Sequence, residues 1–377
     1  MVRNGLPRHA STVYIWPTET CSIGCAHCNF ASPLLSRRAG YRRVAERPIE
    51  VARFVDEMTP WKVAFSGGGE PLDESQAVFE MISAFTAREI HEVEVITGGN
   101  FGGSADQAES MFADLLGAWS RSSVSSHASL KLRLSIDSYH VHQLGIENYT
   151  RILHAYEAIV RPGILDMYIR SVVESDDDHF GQVARAMGAE VIDQDRYHSV
   201  LRLISGTEIP IYRKNLILDG RLGGRRGRAA RETLPDASLI SEFGATLSLH
   251  DGQHVPARTY NGPSPTMLDG LACVIENQGS LKVLEGNSPD RVPNIFERSW
   301  NEALDFLYRD PITHFLVERG PFALDELLEG SGAPAARQVA SQTNQLYYIV
   351  DRVLADARHR SLATIGALRT LGAVLDS

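Results

Sequence analysis

The segment STVYIWPTETCSIGCAHCNF, residues 11–30, joins an apolar strand pattern to three closely spaced cysteines. Its first part is rich in β-branched and aromatic residues, which is typical of a strand. Cys21, Cys25 and Cys28 follow with C-x3-C-x2-C spacing, and the fourth cysteine is distant, at Cys273. Three thiolates on one loop can bind three irons of a [4Fe-4S] cluster and leave the fourth iron open. The segment therefore predicts a strand followed by an iron–sulfur loop.

Two other interpretations of these cysteines remain open. A structural zinc ion would need a fourth ligand, which His27 or Cys273 could supply, but the loop lacks the paired C-x2-C ends that are usual for zinc. A disulfide with one thiol left over is uncommon in a reducing compartment.

The composition limits the class of partner. The 377 residues include 37 Lys and Arg against 47 Asp and Glu, a net charge of −10. Such a surface repels nucleic acid and anionic lipid. There is no long uncharged apolar run, and the first residues lack the apolar core of a signal peptide. We expect a cytoplasmic protein that binds neither nucleic acid nor a membrane.

Strand and helix patterns alternate over the first 215 residues. The predicted strands after the first are KVAFSGG, EVEVITGG, LKLRLSID, LDMYIRSVV and, last, either VIDQD or SVLRLIS. Strands that alternate with helices predict parallel pairing through right-handed crossovers. The sequence thus predicts an α/β fold, a partial (β/α)6 TIM-like barrel.

The pattern changes near residues 214–235, which are rich in Gly and Arg. We place a domain boundary there, with the barrel at residues 1–215 and a smaller α+β extension, ending in long helices, at residues 216–377.

A second motif, AFSGGGEPL at residues 64–72, ends the second predicted strand. Gly67, Gly68 and Gly69 carry no Cβ, so a ligand can approach their backbone groups directly. Glu70 could accept a hydrogen bond from an ammonium group. Taken alone, the glycine run is more typical of a tight turn than of a ligand site.

The cysteine loop and the GGE element, one β/α unit apart, resemble the radical S-adenosylmethionine superfamily over roughly residues 10–215. The resemblance implies two cofactors, a [4Fe-4S] cluster on Cys21, Cys25 and Cys28, and S-adenosylmethionine bound at the open iron and by Gly67–Glu70. It also implies the chemistry: a 5′-deoxyadenosyl radical removes a hydrogen atom from the substrate. An electron donor such as flavodoxin or ferredoxin would be the protein partner.

The resemblance implies further cofactor contacts at strand ends, at His27, Thr97, Asn100, Ser135, Asp137 and Arg170. His27 would lie near adenine, Ser135 and Asp137 at the ribose, and Arg170 at the cofactor carboxylate. Helix capping by Asp137 and a structural salt bridge at Arg170 are the alternatives. Tyr139 and His140 follow the same strand end and could bind substrate, and Tyr139 is a candidate for catalysis.

Residues 269–304 resemble the SPASM or twitch extension found after many such barrels. They contain one cysteine, Cys273, so we expect no auxiliary cluster. Cys273 is either a packed small hydrophobe or a hydrogen-atom donor to a substrate radical. The donor hypothesis favours an epimerase (an isomerase) acting on a sugar, aminoglycoside or nucleoside-like molecule of secondary metabolism, such as antibiotic biosynthesis. A radical dehydrogenase or lyase, a ribosomal-peptide modification enzyme and a non-catalytic zinc protein are the alternatives.

Overall fold

A computed structural model describes residues 6–25, 43–160, 163–173, 179–194, 198–215, 270–283, 286–336 and 346–375. His27 and Cys28 lie outside these ranges. The strands are β1 (Ala10–Ile15), β2 (Lys62–Phe65), β3 (Glu92–Thr97), β4 (Ser129–Ser135), β5 (Leu165–Val173), β6 (Glu190–Asp193), β7 (His198–Arg202), β8 (Glu208–Asn215), β9 (Leu271–Ile275) and β10 (Leu281–Val283).

The helices lie mostly between successive strands. They are α1 (Arg43–Glu46), α2 (Pro48–Met58), α3 (Ser75–Ala84), α4 (Ala105–Arg121), α5 (Ser138–Leu144), α6 (Ile146–Ile159), α7 (His179–Met187), α8 (Trp300–Tyr308), α9 (Pro311–Arg319), α10 (Leu324–Leu327), α11 (Leu346–Val353) and α12 (Ala357–Leu375), with short 3-10 turns at Pro71–Glu74 and Pro321–Ala323.

All ten of these strands form one sheet, in the order β10-β9-β1-β2-β3-β4-β5-β8-β7-β6. The pairs from β1 through β5 are parallel, as are β5 with β8 and β1 with β9. Among the described strands, the sheet has two edges, at β10 and β6, and does not close. The expectation of an α/β fold with a partial TIM-like barrel is confirmed.

The expectation for the last parallel strand was wrong. VIDQD and SVLRLIS contribute β6 and β7, which pair with each other and with β8 in antiparallel fashion. The sixth parallel strand of the barrel is β8 instead. The turn at Gly206, whose φ is 87°, reverses the chain within a few residues, too few for the crossover that parallel strands need.

The two faces of the sheet differ in character because alternate residues of a strand point to opposite sides. On one face Val13, Val63 and Val95 join an apolar cluster with the helices, including Val55 and Phe112. This packing of strands against helices is the main core of the described residues.

The opposite face of β2, β3 and β4 carries a charged network. Lys62 Nζ lies 2.6 Å from Glu92 Oε1 and 2.8 Å from Glu94 Oε2, and Arg133 and Lys131 extend the pairing. Glu94 also accepts a hydrogen bond from the Tyr168 hydroxyl. Buried carboxylates of this kind are tolerated because each has cationic or hydroxyl partners.

The segment after residue 270 continues the same sheet. β9 pairs with β1, and a second apolar cluster joins Trp16, Ala272 and Val274 to helices that include Phe315 and Leu324. The domain boundary at residue 215 and the likeness to a SPASM extension remain predictions. None of the helices in the described ranges has the length and apolar character needed to cross a bilayer.

Candidate functional site

A cavity of about 190 Å³ lies at the carboxyl ends of β1 to β4. Parallel strands in barrels bring their carboxyl ends to one face, where loops can combine their side chains. The described residues that line the cavity come from four strand ends and from α5; they are Cys21, Ile23, Gly24, Cys25, Ser66, Gly67, Gly68, Gly69, Glu70, Pro71, Ile96, Thr97, Gly98, Ser135 and His140.

The loop after β1 brings two of the three clustered cysteines to this cavity. Cys25 is buried and Cys21 is partly exposed, and both are thiols rather than disulfides. Burial raises the pKa of the Cys21 thiol to about 11. A metal ion bound here would therefore release a proton from the thiol, since thiolate is the ligand form.

The glycines after β2 permit a close approach of two loops. A Cβ built on Gly69 would lie 2.0 Å from the Thr20 carbonyl oxygen, and the Glu70 N–H donates to that same oxygen at 2.9 Å. At Gly98, a Cβ would lie 2.4 Å from Cδ1 of Ile23. Glycine is thus required at position 69, where the clash is with backbone, whereas a side chain at position 98 would displace the end of the Ile23 side chain.

The Glu70 carboxylate is buried and hydrogen-bonded to other groups of the protein. It is 3% exposed and accepts hydrogen bonds from Leu72 N–H at 3.1 Å, from the Thr97 hydroxyl at 2.7 Å and from Gly98 N–H at 2.8 Å. Burial raises its pKa to about 7, although these donors oppose the change. Glu70 therefore joins the β2 loop to the end of β3.

Asp73 lies beside the cysteine loop and was missed by the sequence analysis. Its carboxylate accepts from Ser22 N–H at 2.7 Å, from the Ser22 hydroxyl at 2.6 Å and from Asn100 Nδ2 at 2.6 Å. Asn100, a predicted cofactor residue, thus contacts Asp73. The only available signal was an acidic residue three positions after Glu70.

Asp137 and His140 extend the site at the end of β4. Asp137 Oδ1 accepts from the backbone N–H groups of Tyr139 and His140, both at 3.0 Å, so Asp137 caps the N-terminus of α5. Its Oδ2 lies 2.8 Å from Nδ1 of His140. Burial opposes protonation of His140, but the Asp137 charge and hydrogen bonds to Asp137 and Cys25 outweigh it and raise the pKa to about 10.

The structure does not bring every predicted residue into contact with the cavity. Asn100, Asp137, Tyr139, Arg170 and Cys273 are not among its described lining residues. Arg170 lies on β5 and is the register partner of Ser135 on β4. It is therefore one strand away from the strand end that lines the cavity.

Cys273 lies in β9 opposite Val13, with no exposed surface. It belongs to the apolar cluster that includes Val13, Ile15 and residues of α2. This position favours a packed thiol, the alternative left open above, over a hydrogen donor at the cavity.

The described residues contain no group of three His, Cys, Asp or Glu side chains arranged around a metal position. They include two of the three predicted ligands, Cys21 and Cys25, and both line one cavity. Two thiols beside a glycine backbone fit the donor chemistry of an iron–sulfur cluster.

No family model and no curated protein sequence matches the chain. Several solved structures match the chain. anSMEcpe with bound AdoMet has a TM-score of 0.46 at 13% identity, over 95% of this chain and 98% of that one. SuiB of Streptococcus suis bound to S-adenosylmethionine has a TM-score of 0.37 at 11% identity, over 86% and 75%. BtrN in complex with AdoMet and 2-DOIA has a TM-score of 0.34 at 10% identity, over 84% and 89%.

These values describe a distant likeness of fold, so any function has to be inferred from the residues of the cavity. Each of these three solved structures contains bound S-adenosylmethionine (AdoMet).

Proposed function

We propose that this chain is a radical S-adenosylmethionine enzyme that removes a hydrogen atom from a small polar substrate. One observation carries the proposal: Cys21 and Cys25 line the same cavity as the glycines after β2, at the carboxyl ends of parallel strands. Cys28, the proposed third ligand, follows Cys25 with the spacing that the family uses.

The donor set supports a site-differentiated cluster. Three cysteine thiolates on one short loop leave one iron of a [4Fe-4S] cluster open for another ligand. The cluster and S-adenosylmethionine, when bound, supply one-electron cleavage to methionine and a 5′-deoxyadenosyl radical that takes the hydrogen atom. Ile23 and Ile96 in the cavity wall favour the exclusion of water from such chemistry.

The chain's own residues bind and orient the cofactor. Because the Glu70 carboxylate is engaged by Leu72, Thr97 and Gly98, we assign the contact with the cofactor ammonium to backbone carbonyls of residues 67–69. Ser135 lines the cavity, and we assign its hydroxyl to the ribose.

We also assign Arg170, beside Ser135 in the sheet, to the cofactor carboxylate, as the resemblance implies. Thr97 and Asn100 act by bracing the loops, since their hydrogen bonds go to Glu70 and Asp73.

The proposed reaction after abstraction is elimination or oxidation rather than epimerisation; in an oxidation, the substrate radical would give one electron to the oxidised cluster and one proton to solvent. The buried position of Cys273 in an apolar cluster does not support it as a hydrogen donor, and oxidation or elimination needs no thiol. The polar face of the barrel, with Arg133, Tyr168 and the exposed Tyr212, supports a polar substrate such as a sugar, aminoglycoside or nucleoside.

Anaerobic reconstitution with iron and sulfide tests this function. With S-adenosylmethionine and dithionite, the wild-type protein should form 5′-deoxyadenosine, and Cys21→Ala and Cys25→Ala should each abolish it. Candidate substrates are then screened by product mass, where oxidation gives a product two hydrogen masses lighter. A reconstituted protein with no iron–sulfur absorption, or variants as active as the wild type, would refute the proposal.

A further inference from the structure

We propose that Asp73 is a positioning residue that holds the cysteine loop in the conformation that binds the cluster. The inference rests on the proposed function, since it concerns the same loop. The Asp73 carboxylate joins three chain segments: the loop after β1 through Ser22, its own turn after β2, and the end of β3 through Asn100.

Asp73 binds Ser22 through two short hydrogen bonds. Ser22 directly follows Cys21, and it gives Asp73 both its backbone N–H, at 2.7 Å to Oδ2, and its hydroxyl, at 2.6 Å to Oδ1. Hydrogen bonds to a charged carboxylate are stronger than neutral ones. Because Ser22 is exposed to solvent, apolar packing of its side chain does not fix its position.

Two hydrogen bonds, one to its backbone and one to its side chain, fix the position of Asp73. Its N–H donates to the Glu70 carbonyl at 3.0 Å, within the turn at Pro71–Glu74 that the Glu70 side chain caps. Asn100 Nδ2 lies 2.6 Å from Asp73 Oδ1 and 3.4 Å from the Ser22 hydroxyl oxygen. The brace formed by Ser22, Asp73 and Asn100 therefore connects the cysteine loop to the segments that follow β2 and β3.

A fixed loop should retain the cluster better than a loose one. Residues that orient metal ligands affect metal retention although they do not touch the metal. Without Asp73, the described contacts of this loop that remain include the bond from Glu70 N–H to the Thr20 carbonyl, before Cys21, and the hydrogen bond between His140 and Cys25, after Ser22. Residues 21 and 22, between these two contacts, would then lose their strongest anchor.

Asp73→Asn tests this role, and Asp56→Asn is its matched control. Asp56 accepts an equivalent set of hydrogen bonds, from Thr86 N–H, the Thr86 hydroxyl and Ala87 N–H, at the other end of the strands. In holoprotein reconstituted anaerobically, we expect iron loss to a chelator to be faster by about tenfold or more in Asp73→Asn. Asp56→Asn should lose iron at the wild-type rate, even if both variants unfold more easily.

Two further measurements separate positioning from general stability. Ser22→Ala should increase the rate of iron loss less than Asp73→Asn does, because the backbone N–H of residue 22 remains. Ser22→Thr should lose iron at the wild-type rate because it keeps the hydroxyl. In the apoprotein, Asp73→Asn should speed amide hydrogen exchange in residues 21–25, whereas Asp56→Asn should not.

The outcomes of the two proposals are distinguishable. Equal iron loss and equal exchange in the Asp73→Asn and Asp56→Asn variants would overturn the role of Asp73 while leaving the cluster in place. A wild-type protein that takes up no iron would refute the proposed function, and hydrogen exchange in the apoprotein would then still decide whether the brace exists.

Discussion

At the scale of single residues, the site depends on glycines that let two backbones approach. We expect Gly69→Ala to be damaging because its Cβ would lie 2.0 Å from the Thr20 carbonyl oxygen, a backbone atom. Overpacking of this kind costs about 1–3 kcal/mol in unfolding free energy. The displaced Thr20 immediately precedes Cys21, so iron content after reconstitution should fall as well.

Gly117→Ala is the control for this substitution. Gly117 lies inside α4, and its added Cβ would meet only the Arg121 side chain, at 3.5 Å. Alanine in a helix interior stabilises by about 0.5–1 kcal/mol relative to glycine. A Gly69→Ala protein with wild-type stability and iron content would contradict the proposed packing of the two loops.

A second residue-scale prediction concerns Cys273. As a packed thiol with no exposed surface, its replacement by Ala should lower the free energy of unfolding by about 1 kcal/mol. The yield of 5′-deoxyadenosine and the identity of the product should be unchanged. If the variant forms 5′-deoxyadenosine normally but yields a different product, Cys273 acts on the substrate and the oxidation or elimination proposal is wrong.

Much of the site could be predicted from short motifs. Cys21, Cys25, the glycine run and Ser135 all end or follow strands, and strand order alone brings such ends together. Asp73 could not be assigned in this way, because its partner Ser22 is 51 residues away and neither residue type has a characteristic spacing. The engagement of Glu70 by Thr97 and Gly98 likewise depends on distances that a sequence does not contain.

At the scale of elements, the charged face of β2, β3 and β4 gives a pH-dependent prediction. Burial raises the pKa of Glu94, but the charges of Arg133 and Lys62 outweigh it and lower the pKa from 4.5 to about 2. A carboxyl group with a depressed folded-state pKa stabilises the fold above its unfolded pKa and loses that effect as pH falls through the folded value.

Glu94→Gln should therefore lower the free energy of unfolding near neutral pH by about 3 kcal/mol, since it leaves buried cations without their partner. The difference from wild type should shrink as pH falls from about 4.5 toward 2. Denaturant titrations across this range measure it. Glu50→Gln, at an exposed pair with Arg47, should cost less than about 1 kcal/mol. A constant Glu94→Gln deficit at every pH would contradict the ion network.

The error in assigning the last parallel strand has a physical cause at the same scale. β6, β7 and β8 each contain β-branched residues typical of strands, so propensity does not distinguish the direction in which each strand runs. The direction of each strand is set by its connection, and the tight turn at Gly206 forces β7 and β8 to run antiparallel. Alternation of strands and helices predicted the first five parallel strands because helices separate each of them.

At the scale of the whole molecule, the sheet extends from β6 to β10, and β1 is the third strand from the β10 edge. The cysteine loop follows β1, so neighbouring strands lie on both sides of it: β2 on one side and β9 on the other. The second apolar cluster, with Trp16, Ala272 and Phe315, packs helices of the C-terminal part against β9 and the end of β1. The fold thus fixes the strand from which the cysteine loop begins.

The single cysteine after residue 215, Cys273, gives a prediction for the whole chain. One thiol cannot hold a second cluster, and this one is buried in β9. We expect about four irons per chain after anaerobic reconstitution, even though residues 269–304 resemble an extension that carries auxiliary clusters in other proteins. Iron and sulfide analysis with protein quantitation by amino-acid analysis checks the ratio. About eight irons per chain would show an auxiliary cluster that this account excludes.

The central claim is that Cys21, Cys25 and Cys28 hold a [4Fe-4S] cluster whose open iron binds S-adenosylmethionine. Electron paramagnetic resonance of the dithionite-reduced protein, recorded with and without S-adenosylmethionine, tests it most directly. We predict the signal of a reduced [4Fe-4S] cluster that changes shape when S-adenosylmethionine is added and is absent in Cys25→Ala. A protein that instead contains stoichiometric zinc, or a cluster signal that S-adenosylmethionine leaves unchanged, would contradict the claim.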